Sequence, residues 1–215
     1  GMVIPFVKKT PKLLKQKMVL LSMSQRTRKS SKQIKLHLGC GAKYIPGFIH
    51  IDQNPYDHLD YISNVAKLSM FPSKSVDLIY ASHLLEYFHR EEVDNVLAEW
   101  YRVLNSGGLL RLSVPDFDSI IKVYLKYSDL DHRGILGPLY GKWPQQNKEN
   151  AVYHRTVYDY KSLKRVLNKT GFKNGEPYDW RKTEHADVDD YSQAYIPHMD
   201  RKNGIQISLN VEAMK

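Results

Sequence analysis

The feature that most restricts the fold of this chain is a strand, a helix and a second strand that follow one another closely between residues 76 and 114. The strands are predicted by the apolar runs VDLIYA at residues 76–81 and LLRLSV at residues 109–114. Between them apolar residues recur at three- and four-residue steps, which is typical of an amphipathic helix: Val93, Val96, Leu97, Trp100 and Leu104. Gly107 and Gly108 are expected to end it. Strands joined in this way form a right-handed parallel crossover, so we expect an α/β fold.

Two shorter strands precede this unit, at residues 34–38 (IKLHL) and 48–52 (FIHID). Gly39, Cys40 and Gly41 follow the first strand, and Asp52 ends the second. Glycines let the backbone approach a ligand closely, and a carboxylate at the next strand end can accept hydrogen bonds from both hydroxyls of a ribose. This pairing predicts a nucleotide site.

The spacing of these early strands leaves little room for helices between them. Only nine residues separate Leu38 from Phe48, and a full crossover needs a dozen or more. A weak strand at residues 61–62 follows Asp52 after only eight residues. We therefore expect the first crossover helices to be shortened to turns. Part of one sheet face would then be bare, and a helix predicted at residues 13–21 is a candidate to cover it.

The second half of the chain predicts further elements. Helices are expected after Pro115 and from Asp159, and late strands at residues 172–181 and 205–211. Residues 129–157 lack periodicity and are rich in glycine and proline, which predicts a long surface insertion.

Charge divides the chain into a basic N-terminal arm, residues 1–32, and a nearly neutral domain, residues 33–215. The net charge is +9, yet residues 1–51 hold eleven Lys or Arg and no acidic residue. A possible amphipathic helix lies in the arm. An anionic membrane surface contacting residues 8–35 is one expected partner. Nucleic acid is another, less favoured because the rest of the chain lacks a basic face with interleaved aromatic residues.

Cysteine content and hydropathy indicate the compartment. Cys40 is the single cysteine, so no internal disulfide can form and a reducing cytoplasm is expected. We find no apolar run near the roughly 20 residues that span a bilayer, and no secretion signal. The expected location is therefore the cytoplasm, with peripheral contact at the inner membrane surface through the arm. The acidic run at residues 185–190 lacks a known ligand spacing, and no metal site is predicted.

Four motifs carry a resemblance to a known family: LHLGCG at residues 36–41, HID at 50–52, SVDLIYASHLLEYF at 75–88 and LAEWYRVLNSGGLLRLSVPDF at 97–117. In this order they resemble the class I S-adenosylmethionine-dependent methyltransferases. More narrowly, the chain is similar to the methyltransferase-11-like bacterial group that often accompanies surface polysaccharide synthesis. The resemblance implies a Rossmann-like, mostly parallel sheet with an antiparallel last strand, and S-adenosylmethionine as the cofactor.

The same resemblance implies roles for individual residues. Gly39, Cys40 and Gly41 would contact the methionine part of the cofactor, and Asp52 would bind the ribose. Contacts with the adenine and with the other side of the cofactor would come from Asn64, Val65, Ser82, His83 and Leu84.

The chain departs from the family pattern at two places beside the glycine turn. His37 stands where members usually have an acid that contacts the cofactor's ammonium group. Ala42 and Lys43 follow Gly41, so a third glycine is missing.

The reaction implied is methyl transfer to an oxygen or nitrogen of a small polar or sugar-like acceptor, such as a glycan precursor. Because the methyl group arrives activated, the protein mainly aligns the acceptor and removes a proton. His154 and His198 are the candidate bases, and His185 is a weaker one. Each lies in a late tyrosine-rich segment expected to overhang the strand ends.

Three alternatives remain open at this point. An RNA methyltransferase would use the basic arm on phosphates. A methyltransferase-like binding module without turnover would explain the changed residues His37 and Asn64. A dinucleotide-dependent oxidoreductase is weaker, because the G-x-G-x-x-G fingerprint is incomplete and the helix that should follow it has no room.

Overall fold

A computed structural model describes residues 33–131, 135–141 and 152–215 of the chain. The arm at residues 1–32 lies outside the described residues. Its helix, its cover of the sheet and its contact with anionic partners therefore stay predictions. Within the described part, no helix is long and apolar enough to cross a membrane.

Nine strands lie in the described part of the chain: β1 (Lys35–Leu38), β2 (Ile49–Asp52), β3 (Tyr61–Ile62), β4 (Val76–Ser82), β5 (Leu104–Pro115), β6 (Lys173–Pro177), β7 (Tyr195–Ile196), β8 (Ile205–Gln206) and β9 (Ser208–Met214). Seven of them form one sheet in the order β3-β2-β1-β4-β5-β9-β6. Neighbours from β3 to β5 pair in parallel, and β9 runs antiparallel to both β5 and β6. The predicted α/β fold with an antiparallel last strand is confirmed.

The described helices are α1 (Arg90–Val103), α2 (Phe117–Tyr127), α3 (Leu136–Tyr140) and α4 (Tyr160–Lys169), with 3₁₀ turns at Leu85–Tyr87 and Trp180–Lys182. Helix α1 buries four of the five residues of the predicted apolar stripe: Val93, Val96, Leu97 and Trp100. The fifth, Leu104, is the first residue of β5, so the helix ends one turn before the glycines. Helix α4 starts as expected, since the Asp159 carboxylate accepts a hydrogen bond from Ser162 N at 2.6 Å.

The connections around β1 to β3 are turns, as the spacing predicts. No helix lies between β1 and β2, between β2 and β3, or between β3 and β4, all of which are described throughout. The long crossover is the one from β4 through α1 to β5, with Leu78 opposite Leu109 and Ser82 opposite Ser113. These parallel strands bring their carboxyl ends to one edge of the sheet, where ligands of such folds bind.

A late segment covers part of the sheet face that the missing crossover helices leave. The His185 ring stacks on the Tyr80 ring of β4 at 4.0 Å between centroids. Val188 packs on the buried cluster that contains Ile45 and Phe48. The face is therefore partly closed by residues from the far end of the chain.

The prediction of an irregular insertion over residues 129–157 is wrong for α3. Ile135, at the start of this helix, is fully buried against Ile120, Val123 and Ile207. Gly137 and Pro138 inside the helix hide its pattern from a sequence reading. Residues 132–134 and 142–151 of the insertion lie outside the described residues.

Candidate active site

The glycine turn after β1 has a backbone that only glycine adopts without strain. Gly39 has φ +60° and Gly41 has φ +53°. Gly39 N donates to Ile51 O at 2.8 Å, which ties the turn to β2. A Cβ added at Gly39 would lie 2.6 Å from Leu84 Cδ1, so the glycine also lets the segment after β4 pack closely.

Asp52 holds the glycine turn from the end of β2. Gly41 N donates to Asp52 Oδ2 at 2.9 Å, and Asn54 N donates to Asp52 Oδ1 at 2.8 Å. Asp52 is 8% exposed and lines a cavity at the carboxyl ends of the strands. Each carboxylate oxygen has two lone pairs, so one remains on each for a ligand with two hydroxyl groups.

Asn64 and Val65 lie in the turn after β3. Asn64 Oδ1 accepts from Ala66 N at 2.9 Å, the geometry of a turn stabilised by its own side chain. Val65 is buried, and its carbonyl accepts from Trp100 Nε1 of α1 at 2.9 Å. The structure thus gives Asn64 a local turn role while placing both residues at the cavity wall.

The segment after β4 begins with Ser82, His83 and Leu84. Ser82 Oγ donates to Asp190 O at 2.6 Å. His83 has the left-handed backbone angle φ +48°, and its Nε2 lies 2.9 Å from Ser208 Oγ. Burial, and then the nearby His154, lower the pKa of His83 to about 4, so its ring is neutral near neutral pH.

Glu86 is a buried residue beside the cavity that sequence reasoning did not single out, although it lies inside the motif at residues 75–88. It is fully buried, and neither carboxylate oxygen has a hydrogen-bond partner among the described residues. Its Oε1 lies 3.5 Å from His83 Nδ1 and 3.7 Å from His154 Nε2. Burial raises the pKa of Glu86 to about 8, so the carboxyl group holds its proton at neutral pH.

The two candidate bases sit differently. His154 has both ring nitrogens turned to protein atoms: Nδ1 lies 2.9 Å from Pro138 O, and Nε2 faces Glu86. A side chain at Gly141 would overlap the ring. His198 is exposed, and no hydrogen bond or ion pair engages its ring within the described residues.

His185, the weaker candidate, is fully buried and lies below the site. Its Nδ1 is 3.1 Å from Asp190 Oδ2, and Tyr80 Oη donates to the same oxygen at 2.5 Å. Ser192 Oγ donates to Asp190 Oδ1 at 2.6 Å. Burial alone would raise the pKa of Asp190, but these contacts hold it below its usual value. This network fixes residues 189–191 above the end of β4.

His37, at the position where the family usually has an acid, is a neutral residue of the sheet. It is 2% exposed and stacks on Tyr80 at 5.2 Å between centroids. Burial, and then the nearby His50, lower the pKa of His37 to about 3. The histidine therefore supplies no charge to the cavity at neutral pH.

One cavity of about 1560 Å³ collects the predicted site residues at the carboxyl edge of the sheet. Its lining includes all of them: Gly39, Cys40, Gly41, Asp52, Asn64, Val65, Ser82, His83, Leu84, His154 and His198. It also includes charged residues that the sequence reading did not select: Lys43, Glu92, Arg155, Asp189 and Asp190. Nothing in their local sequence separates these five from solvated surface charges.

The donor set of this cavity suits a nucleoside with an amino-acid tail. Backbone amides and a carboxylate lie at the glycine turn, and buried aliphatic side chains such as Val65 lie beside them. In the described ranges, no group of three or more His, Cys, Asp or Glu residues is arranged to hold a metal ion.

Comparison with known proteins gives a family match for the central part of the chain. Residues 36–112 match a family model described as a methyltransferase domain. This range contains the glycine turn, Asp52, the segment after β4 and helix α1. A search among curated proteins found no match.

Several solved structures share the fold. A putative S-adenosylmethionine-dependent methyltransferase from Listeria monocytogenes has a TM-score of 0.53 at 14% identity, over 94% of this chain and 97% of that one. One from Archaeoglobus fulgidus has a TM-score of 0.52 at 15% identity, over 93% and 94%. A Burkholderia thailandensis 1,6-didemethyltoxoflavin-N1-methyltransferase with bound S-adenosylhomocysteine has a TM-score of 0.50 at 10% identity, over 95% and 77%.

Proposed function

We propose that this chain is a class I S-adenosylmethionine-dependent methyltransferase, in line with the family match and the shared fold, and that it transfers the methyl group to an oxygen or nitrogen of a small polar or sugar-like acceptor. The observation that carries the proposal is the shared cavity, which is lined both by the glycine turn with Asp52 and by the late segment with His198. The proposed cofactor site and the proposed acceptor site would therefore lie in one cavity.

The size of the cavity supports two ligands. Pockets for one small molecule have volumes of roughly 300–1,000 Å³, and this cavity has about 1560 Å³. Its wall also contains Tyr127 and Tyr195 together with Gly137 and Pro138 of α3. Tyrosines offer a flat apolar face and a polar tip, which suits a sugar ring or a similar polar acceptor.

The residues around the glycine turn would hold the cofactor. Gly39 and Gly41 allow the backbone to approach it, and the free lone pairs of Asp52 would accept from the two ribose hydroxyls. Asn64 and Val65 would lie beside the adenine, while Ser82, His83 and Leu84 would form the opposite wall. When bound, the cofactor supplies an activated methyl group on a sulfonium.

His198 is the group that would take the proton released by a hydroxyl or amine acceptor. Its ring is exposed at the cavity and is not engaged by other described residues, so a ring nitrogen is accessible to an acceptor. His154 is less suited to direct proton transfer, because Pro138 and Glu86 face its two nitrogens. We propose that His154 shapes the wall.

The experiment measures binding first and turnover second. Calorimetry with S-adenosylhomocysteine should show micromolar binding to the full chain. A panel of hydroxyl and amine acceptors, including sugar nucleotides and RNA, is then scored for release of S-adenosylhomocysteine. Turnover of a sugar-like acceptor supports the proposal. Transfer to RNA alone would overturn it in favour of an RNA methyltransferase. Binding without transfer to any acceptor would overturn it in favour of a binding module without turnover.

The role of His198 has its own test within the same assay. His198→Ala should lower kcat about a hundredfold and leave the affinity for S-adenosylhomocysteine unchanged. His154→Ala serves as the comparison. If His154→Ala abolishes turnover and His198→Ala does not, the assignment of the base is reversed.

A further inference from the structure

The amino-acid end of the cofactor lacks its usual partner in this chain. The family's acid is replaced by His37, which burial keeps neutral, with a pKa of about 3. The third glycine of the turn is missing as well, and Ala42 and Lys43 follow Gly41 instead. His37 precedes the glycine turn and Lys43 follows it, and both residues line the cavity.

Residues 189–191 are held against the cavity by hydrogen bonds to the sheet. Ser82 Oγ donates to Asp190 O, and Ser208 Oγ donates to Tyr191 O, each at 2.6 Å. The carboxylate of Asp190 is occupied by Tyr80, His185 and Ser192, so it has little capacity left for a ligand. Its exposed neighbour Asp189 lines the same cavity, and its carboxylate accepts no hydrogen bond from the residues that the structure describes.

Asp189 and Lys43 are opposite charges that line the cavity and have no ion-pair partner in the described parts of the chain. The Lys43 ammonium lies 5.6 Å from the centroid of the Tyr191 ring, two residues beyond Asp189 in the chain. Tyr191 has φ +71°, a conformation that the hydrogen bonds on either side of it maintain. Lys43 therefore lies beside the segment that contains Asp189, and both residues line the same cavity.

We propose that Asp189 and Lys43 together bind the zwitterionic amino-acid end of the cofactor. Asp189 accepts hydrogen bonds from the α-ammonium group, and Lys43 donates to the α-carboxylate. A carboxylate and an ammonium group match the opposite charges of the α-ammonium and α-carboxylate groups, and charge-assisted hydrogen bonds of this kind are strong. The inference rests on the proposed function, and it gives both sequence departures one explanation.

The test compares two ligands that differ only in this amino-acid end. S-adenosylhomocysteine has it, whereas 5′-methylthioadenosine keeps the adenosine and the thioether without it. Calorimetry on the full chain should show that Asp189→Asn and Lys43→Gln each weaken binding of S-adenosylhomocysteine at least tenfold. Both should leave binding of 5′-methylthioadenosine within twofold of the wild type.

Asp187→Asn is the matched control. Asp187 is an exposed acid two residues away that does not line the cavity, so its loss changes the net charge equally and should leave both affinities unchanged. Unchanged affinity for S-adenosylhomocysteine in Asp189→Asn, or equal losses for both ligands, would overturn the proposal. A wild-type chain that binds neither ligand would instead refute the proposed function itself.

Discussion

Replacing Glu86 with glutamine tests how the buried site is protonated. Ser208 Oγ gives its own proton to Tyr191 O, so the His83 nitrogen beside it must be the donor. Pro138 O can only accept, so it takes the Nδ1 proton of His154. In the neutral rings, the two nitrogens that face Glu86, His83 Nδ1 and His154 Nε2, therefore carry no proton and present lone pairs. A protonated Glu86 matches this arrangement, in line with a pKa raised to about 8 by burial.

The sign and size of the effect follow from this raised pKa. An exposed glutamate in the unfolded chain ionises near pH 4.5, so between about pH 4.5 and about pH 8 the folded state binds one more proton than the unfolded state. Stability therefore falls as pH rises through this window. At 1.36 kcal/mol per pH unit, the penalty is about 2 kcal/mol at pH 6 and about 5 kcal/mol above pH 8. Glutamine has the same shape and no titration, so Glu86→Gln should be stabilising, by about 3 kcal/mol more at pH 9 than at pH 6.

Urea unfolding followed by tryptophan fluorescence measures this difference, since Trp100 and Trp180 are buried. The other titratable groups near Glu86 are present in both proteins. Burial lowers the pKa of His83 and His154 and raises that of Tyr87 and Tyr158, so in all four the folded state favours the neutral form. Glu91→Gln, at an exposed position of α1, is the control and should show no pH-dependent gain. A constant difference between Glu86→Gln and wild type across the range would refute the buried, protonated carboxyl group.

Three further predictions concern the glycine turn, the ribose site and the arm. Asp52→Ala should weaken binding of S-adenosylhomocysteine at least tenfold in calorimetry, because it removes both the ribose acceptor and the anchor of Gly41; an unchanged affinity would remove Asp52 from the site. Gly39→Ala should cost roughly 1–3 kcal/mol of unfolding free energy, since φ is +60° and Leu84 is too close. In a Leu84→Ala background, Gly39→Ala should cost less unfolding free energy than it does in the wild type. If the free-energy losses of the two substitutions simply add in urea unfolding, the close contact between positions 39 and 84 is not the cause. Exchanging five arm lysines for glutamine in the full chain should abolish sedimentation with anionic vesicles in low salt: Lys8, Lys9, Lys12, Lys15 and Lys17. Retained sedimentation would exclude the arm as the membrane contact.

Local sequence was sufficient to predict the central architecture. The crossover from β4 through α1 to β5 follows from periodicity and turn residues within 40 positions of one another. The short intervals after Leu38 and Asp52 leave no room for helices between the first strands. The same reasoning failed at α3, where a proline and a glycine mask a helix held by the burial of Ile135.

The sequence by itself determined the parallel sheet, the glycine turn and the acid at the neighbouring strand end, because each depends on residues close together in the chain. The tertiary structure alone decided which charges reach the cavity. Tyr80 and Asp190 are 110 residues apart and Ser82 lies 108 residues from the carbonyl it contacts, so no local pattern could reveal that residues 189–191 close over the turn. The burial of Glu86 and the free carboxylate of Asp189 likewise depend on which distant segments pack around them, and that is settled only when the whole chain folds.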